Sequence, residues 1–193
     1  LSATVEVAEA ASRMLPEIPI HVVDSYTAAM AQGFVVLEAA RAAAKGARLE
    51  GVTKRAKEMI PKVNLLATLA TLEYLQRGGR IGRAAALMGS VLKIRPILYV
   101  ARDGVADVLE KPRTRAKAVR RILEIAEERV GSRPAHVAVI HADVPREAEK
   151  LREEVASRLN CVELFITDFT PVLGTHGGPG VLGLTFWAEE GDG

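Results

Sequence analysis

Aromatic residues are scarce: one tryptophan, three tyrosines and four phenylalanines, 4% of 193 residues. Any core must therefore be built from Ala, Val, Leu and Ile, and there is little from which to make the stacking platforms that hold single-stranded nucleic acid. A single cysteine, Cys161, excludes an internal disulfide framework and fits a reducing compartment. No apolar run reaches the ~18–20 residues that span a bilayer. The opening Leu1-Ser2-Ala3-Thr4-Val5-Glu6 has neither the basic start nor the apolar centre of a signal peptide. An excess of one charge is also missing. The 26 Lys+Arg face 24 Asp+Glu for a net charge of +2, which gives no electrostatic reason to expect polyanion binding. These absences point to a soluble, cytoplasmic protein. What is present is ordinary for a folded domain, with 49% hydrophobic and 26% charged residues. The length suits one large or two small domains.

The chain starts at Leu1 and enters a helical pattern at once, with Ser2 or Thr4 placed to cap the first turn. This start reads as the later part of a longer protein. A helix over 3–15 carries Val5, Ala8, Ala11 and Leu15 on one face. Ile20-His21-Val22-Val23 reads as a buried parallel strand ending in Asp24-Ser25. Helices over 27–45 and 51–60, closed by Gly46 and Pro61, precede a strand over 63–69 and helical turns over 72–76. This alternation predicts a parallel α/β unit.

From Gly78 the pattern changes. A helix is expected over 82–93, and strands over 97–100 and 105–109 flank Asp103-Gly104 as a hairpin. Then come a helix over 113–130, a strand over 135–140, a helix over 145–159, and strands over 162–167 and 181–187. The expected fold is a two-domain α/β protein. Residues 1–70 form the remainder of a parallel-sheet first domain, and residues 71–193 form a second α/β domain with a mixed or antiparallel sheet.

Pro171-Val172-Leu173-Gly174-Thr175-His176-Gly177-Gly178-Pro179-Gly180 is the most informative stretch. It reads either as a loop with exposed backbone N–H groups that holds His176 within reach of a ligand, or as a plain turn before the last strand. The formal G-x-G-x-x-G over 178–183 is accidental, because a strand rather than a helix follows it. His176-Gly177-Gly178 has the look of an oxyanion loop, but the chain has no G-x-S-x-G elbow.

Arg77-Gly78-Gly79-Arg80-Ile81-Gly82-Arg83 puts three arginines on a glycine-rich turn, suited to a phosphate or carboxylate or to a solvated turn. Lys111 to Lys117 reads as the exposed start of a helix. The other histidines, His21, His136 and His141, form no metal-binding spacing with one another or with His176. His21 reads as structural and His141 as a strand terminator. Asp24-Ser25 reads as a ligand-facing strand end or as a helix cap.

Taken in order, several segments resemble the DegV family of bacterial lipid-binding proteins. They are Leu1-Ser2-Ala3-Thr4, Val23-Asp24-Ser25 with Met30 and Gly33, Leu72 to Ile81, Gly89-Ser90 before Lys93-Ile94-Arg95-Pro96-Ile97, and Gly174-Thr175-His176-Gly177-Gly178-Pro179-Gly180. The resemblance implies a long-chain fatty acid, such as palmitate, lying between two α/β domains. Its carboxylate would be held by Ser2, Arg80 and His176. It implies a binding protein rather than an enzyme, without a cofactor, that presents the carboxylate to a separate ATP-dependent fatty-acid kinase for acyl-phosphate formation. The chain itself has no G-x-x-x-x-G-K-[ST] sequence. Ala3 and Gly177 depart from the family's usual glycine and threonine. An earlier Thr-Ser-rich loop of the family precedes the matched region, so that portion is expected from another chain, or the lipid site is incomplete. The alternative reading is an enzyme acting on a small carboxylate or phosphate, with His176 as acid/base and Arg80 as clamp.

Overall fold

The computed structural model describes residues 2–88 and 94–191. Its helices are α1 (Thr4–Ser12), α2 (Ala29–Ala44), α3 (Leu49–Met59), α4 (Glu73–Arg77), α5 (Arg115–Val130), α6 (Pro145–Arg158) and α7 (Pro171–Gly177). Its strands are β1 (Asn64–Thr68), β2 (Ile97–Val100), β3 (Ala106–Glu110), β4 (Ala135–His141), β5 (Cys161–Asp168) and β6 (Leu182–Ala188). The strands form one mixed sheet in the order β3-β2-β1-β6-β4-β5. Only β4 and β5 run parallel, joined by α6 as the crossover that parallel strands require. Every other pairing is antiparallel.

The period-2 alternation of side chains sorts the sheet into two faces. On one, Leu66, Ile97, Val137, Val139, Leu184 and Phe186 meet Ile122, Leu123 and Ala126 of α5 and Leu151 and Val155 of α6. On the other, Ala138 and Trp187 pack under Phe34 and Val35 of α2 and Met59 of α3. Further along this second face, Ala67, Leu69, Leu98 and Ile140 lie under Leu72 and Leu75 at α4 and under Ala84. Each fully buried Leu or Phe contributes about 1.5–3 kcal/mol, so these layers dominate the stability.

The mixed α/β class agrees with the sequence. The separate parallel sheet expected within residues 1–70 does not form. Residues 20–23 make no strand: Ile20 and His21 are exposed, and Val23 packs against the α2–α3 cluster instead. β1 is antiparallel to both of its neighbours, β2 and β6, which lie beyond residue 70, so a division there would cut the sheet. The helix expected over 82–93 is a short 3-10 turn over Gly82–Leu87, and residues 89–93 lie outside the described residues. Gly82 takes φ +53 against the Ala106 backbone, which turns the chain there. The hairpin is as read, with Gly104 at φ +76 closing onto the Ala101 carbonyl. Asp24 is neither a strand end nor a helix cap. Its carboxylate accepts from the Tyr26 N–H (2.9 Å) and holds Tyr26 in the left-handed region.

Candidate functional site

Two short helices meet over one end of the sheet, and the topology explains why. β1 and β6 are adjacent and antiparallel, with Thr68 opposite Leu182. The chain leaving β1 enters α4, and the chain entering β6 has just left α7. Both excursions therefore start from neighbouring strands at the same edge, and α4 packs on α7. This is also the carboxyl end of β1, β4 and β5, where ligand sites of α/β proteins gather.

Arg80 is positioned by the way α4 stops. Gly79 takes φ +67, the Gly79 N–H donates to the Gln76 carbonyl (3.0 Å) and the Arg80 N–H donates to the Leu75 carbonyl (2.9 Å). That is a Schellman motif, which satisfies the last carbonyls of the helix and needs glycine at its left-handed position. The exposed Arg80 side chain donates from Nη1 to the Gly78 carbonyl (2.7 Å).

His176 is carried by α7, so the stretch read as an open loop is a helix. Pro171 opens it at the first turn, and Gly178 closes it at φ +74 with its N–H on the Gly174 carbonyl (2.8 Å). Proline just inside the start and glycine just past the end signal a helix, and both are legible in the sequence. Gly177 and Gly178 are buried rather than exposed. Both ends of the segment are tied to the end of β4. The Phe169 N–H donates to the His141 carbonyl (2.6 Å), and the Gly180 N–H donates to the Ala142 carbonyl (2.7 Å).

The imidazole of His176 lies against the backbone of Gly78, so the Arg80 turn and the histidine come together although Gly78 and His176 are 98 positions apart. Its Nδ1 is buried without a hydrogen-bond partner among the described residues. Among the described residues no hydrogen bond joins Ser2 to that pair. It is exposed, its hydroxyl is 2.6 Å from that of Thr4 and accepts from the Thr4 N–H, and no residue of α1 is buried.

Neighbouring groups that sequence reasoning passed over also converge here. Tyr74 packs on Gly178, and Phe169 packs on Gly177. Arg115 at the start of α5 donates from Nη1 to the Gly180 carbonyl (2.7 Å) and from Nε to Glu147 (2.7 Å). Arg95 donates to the Ala70 carbonyl (2.6 Å). His141 ends β4 as read, with Nε2 3.4 Å from an Asp168 carboxylate oxygen. Apart from Phe169 on Gly177, eight positions apart, these contacts join residues far apart in the chain and have no short-range sequence signature. Among the described residues no group of three or more His, Cys, Asp or Glu is placed to hold a metal.

The other charged cluster lies at the opposite end of β4. His136 is buried and stacked on Trp187 with ring centroids 4.2 Å apart, and its two ring nitrogens meet Glu163 (2.6 Å) and Glu189 (3.1 Å). Arg41 bridges Glu163 and Glu38, and Arg55 also pairs with Glu38. Burial alone would raise the Glu38 carboxyl, but the Arg55 and Arg41 guanidiniums overcome it and hold it below the usual carboxylate range. Glu163 is lowered in the same way, burial being outweighed by His136 and Arg41. With its polar groups paired inside the protein, this cluster ties α2, α3 and the sheet together.

Two surface concavities lie elsewhere. One of about 520 Å³ is lined by His21, Thr53, Lys54 and neighbouring acids, and one of about 250 Å³ by Lys62, Arg129, Arg133 and Phe186. His21, read as a structural strand residue, is exposed and bonds to Thr53 (2.9 Å).

By its own geometry the chain is a three-layer α/β protein with two glycine-capped helices meeting over the carboxyl end of a mixed sheet. Residues 1–189 match the family model described as uncharacterised protein, DegV family. The chain is 38% identical over 185 residues to a DegV domain-containing protein of Streptomyces coelicolor, covering 95% of this chain and 65% of that protein. It is 39% identical over 186 residues to protein DegV of Bacillus subtilis, covering 95% and 66%. The chain thus spans just under two thirds of the length of these relatives.

Among solved structures it is similar to a DegV family protein from Thermus thermophilus described by its fatty acid binding. The TM-score is 0.89 at 31% identity, covering 97% of this chain and 67% of that one. It is similar also to DegV of Bacillus subtilis, described as a fatty acid binding protein, with TM-score 0.87 at 37% identity and coverage of 97% and 67%. The chain belongs to the DegV family. No helix of the described residues is long and apolar enough to cross a membrane.

Proposed function

We propose that this chain is the larger part of a cytoplasmic protein that binds a long-chain fatty acid and is not itself an enzyme. In this reading Arg80 and His176 meet the carboxylate, with the hydroxyl of Ser2 as a third donor. The bound carboxylate is then presented to a separate ATP-dependent kinase that forms the acyl-phosphate. The domains are divided near residue 70 in function, with the ligand between them. The observation that carries the reading is the α4–α7 junction, which seats His176 against the turn that bears Arg80. The fatty-acid binding described for the Thermus thermophilus and Bacillus subtilis proteins supports it.

The energetics are consistent. A C14–C18 tail gains on the order of 10 kcal/mol gross at roughly 0.8 kcal/mol per buried methylene, part of which is spent on ordering. Burying the carboxylate costs several kcal/mol unless donors compensate, and a guanidinium, an imidazole N–H and a hydroxyl are suitable donors. The test is denaturing extraction and mass spectrometry of the full chain purified from cells. About one long-chain fatty acid per protein is expected, with strong depletion in Arg80→Ala and His176→Ala. Reproducible absence of any fatty acid, or turnover of a small carboxylate or phosphate without added kinase, would replace this reading.

A further inference from the structure

The α4–α7 junction is built from two reciprocal contacts. Each helix ends on a glycine, and each glycine carries a ring from the other helix. A Cβ built on Gly78 would overlap His176 Nδ1 and lie 2.8 Å from its Cε1. A Cβ built on Gly178 would lie 2.7 and 2.8 Å from Cε2 and Cγ of the Tyr74 ring. Real Cβ atoms do not approach other atoms this closely, so the absence of a side chain at both glycines is a condition of the packing. Gly178 has a second reason to be glycine, its φ of +74. Gly78 has none: it sits at φ −78 and ψ −3, a conformation any L-residue adopts. Nothing in its own backbone demands glycine.

We infer that Gly78 is a positioning residue that exists as glycine to seat the His176 ring, with Tyr74 on Gly178 as the matching half of the lock. The seat also selects the working nitrogen. Nδ1 is buried against Gly78 without a hydrogen-bond partner among the described residues, and in this inference Nε2 is the nitrogen that meets a ligand. A ring fixed in a rigid seat is pre-organised for a carboxylate. The ligand half of this inference rests on the fatty-acid reading; the seat does not.

The experiment uses the full chain, stripped of lipid and then titrated with a long-chain fatty acid. Gly78→Ala is compared with Gly51→Ala in α3, whose Cβ would meet only the Ala47 Cβ at 3.4 Å. The imidazole ¹⁵N and ¹H resonances of His176 are read without ligand, and affinity is read afterwards. The expected result is that Gly78→Ala moves the His176 resonances and weakens fatty-acid affinity at least tenfold, while adding nothing in a His176→Ala background. Gly51→Ala leaves the resonances in place. Tyr74→Leu, which takes the ring off Gly178, approaches the lock from the other side and moves the same resonances. Unmoved resonances in both Gly78→Ala and Tyr74→Leu overturn the seat, whatever the affinity. Moved resonances with unchanged affinity uphold the seat and overturn the ligand role of His176.

Discussion

His136 and His176 lie at opposite ends of the same sheet and are treated in opposite ways. His136 is 5% exposed, stacked on Trp187, and has a carboxylate on each ring nitrogen. His176 keeps Nδ1 buried against Gly78 without a hydrogen-bond partner among the described residues. The surroundings follow the same division. Among the described residues, the buried side-chain atoms without partners are those of Thr68, Arg115, His141 and His176 at the α4–α7 end and Trp187 Nε1 at the other. Two of the three left-handed non-glycine residues share that first end, Ala29 beside the α4 contacts and Asp143 after His141, whereas Tyr26 packs on Gly104 of the hairpin. Each unmet polar atom costs about 1–3 kcal/mol, so one end of the molecule carries a burden that the other has removed. A site that must wait for a ligand has this character, and a structural cluster does not.

Substituting the two histidines tests the contrast most severely. His136→Ala should cost about 3 kcal/mol, because it empties a stacked ring site and takes one partner from each of Glu163 and Glu189; the melting temperature should fall by roughly 6–12 °C while fatty acid is retained. His176→Ala should do the reverse, costing about 1.5–3 kcal/mol of fatty-acid affinity with little change in melting temperature. Equal stability losses would erase the distinction.

Acid should attack the closed end first. The Glu38 and Glu163 carboxyls lie below their ordinary value of about 4.5, so their contribution is present above that pH and is lost as the pH falls through their lowered folded values. Denaturant midpoints should therefore drop on acidification from about pH 6 to about pH 3. Glu38→Gln should lower the neutral-pH stability by about 1.5 kcal/mol and flatten that acid limb. An unchanged limb would mean that other groups control acid unfolding.

Ala29→Gly should stabilise the protein by about 1 kcal/mol, since it relieves φ +51 at a non-glycine residue; a loss measured in the same denaturant melts would remove the strain argument. The smallest effect belongs to the exposed Arg152–Glu149 pair of α6. Arg152→Ala should leave the melting temperature within about a degree of the parent, as solvent-exposed pairs do.

Much of the fold was legible because its signals are local. The apolar stripe of α5, Pro145 at the start of α6 and Asp103-Gly104 in the hairpin each act over a few residues, and each formed as read. The Ile20–Val23 run has strand character but no partner, and strand character alone does not close backbone hydrogen bonds. Periodicity could not reveal that β1 joins the same sheet as β6, because that pairing is set 114 positions away, Thr68 to Leu182. The candidate site divides similarly. Arg80 and His176 stood out through their glycines, whereas Tyr74 and Gly78 matter only through contacts made across the fold.

By itself the sequence determined the alternation of helices and strands, the apolar material of the core and the glycine-rich stretches that carry Arg80 and His176, because caps, turns and side-chain periods are decided within a turn or two of chain. Tertiary structure alone decided that six strands share one sheet, that α4 and α7 stand side by side, and that His176 Nδ1 is buried against Gly78. Those outcomes depend on strand partners and ring-on-backbone contacts between distant residues, and the free energy of such contacts does not exist until the chain has brought them together.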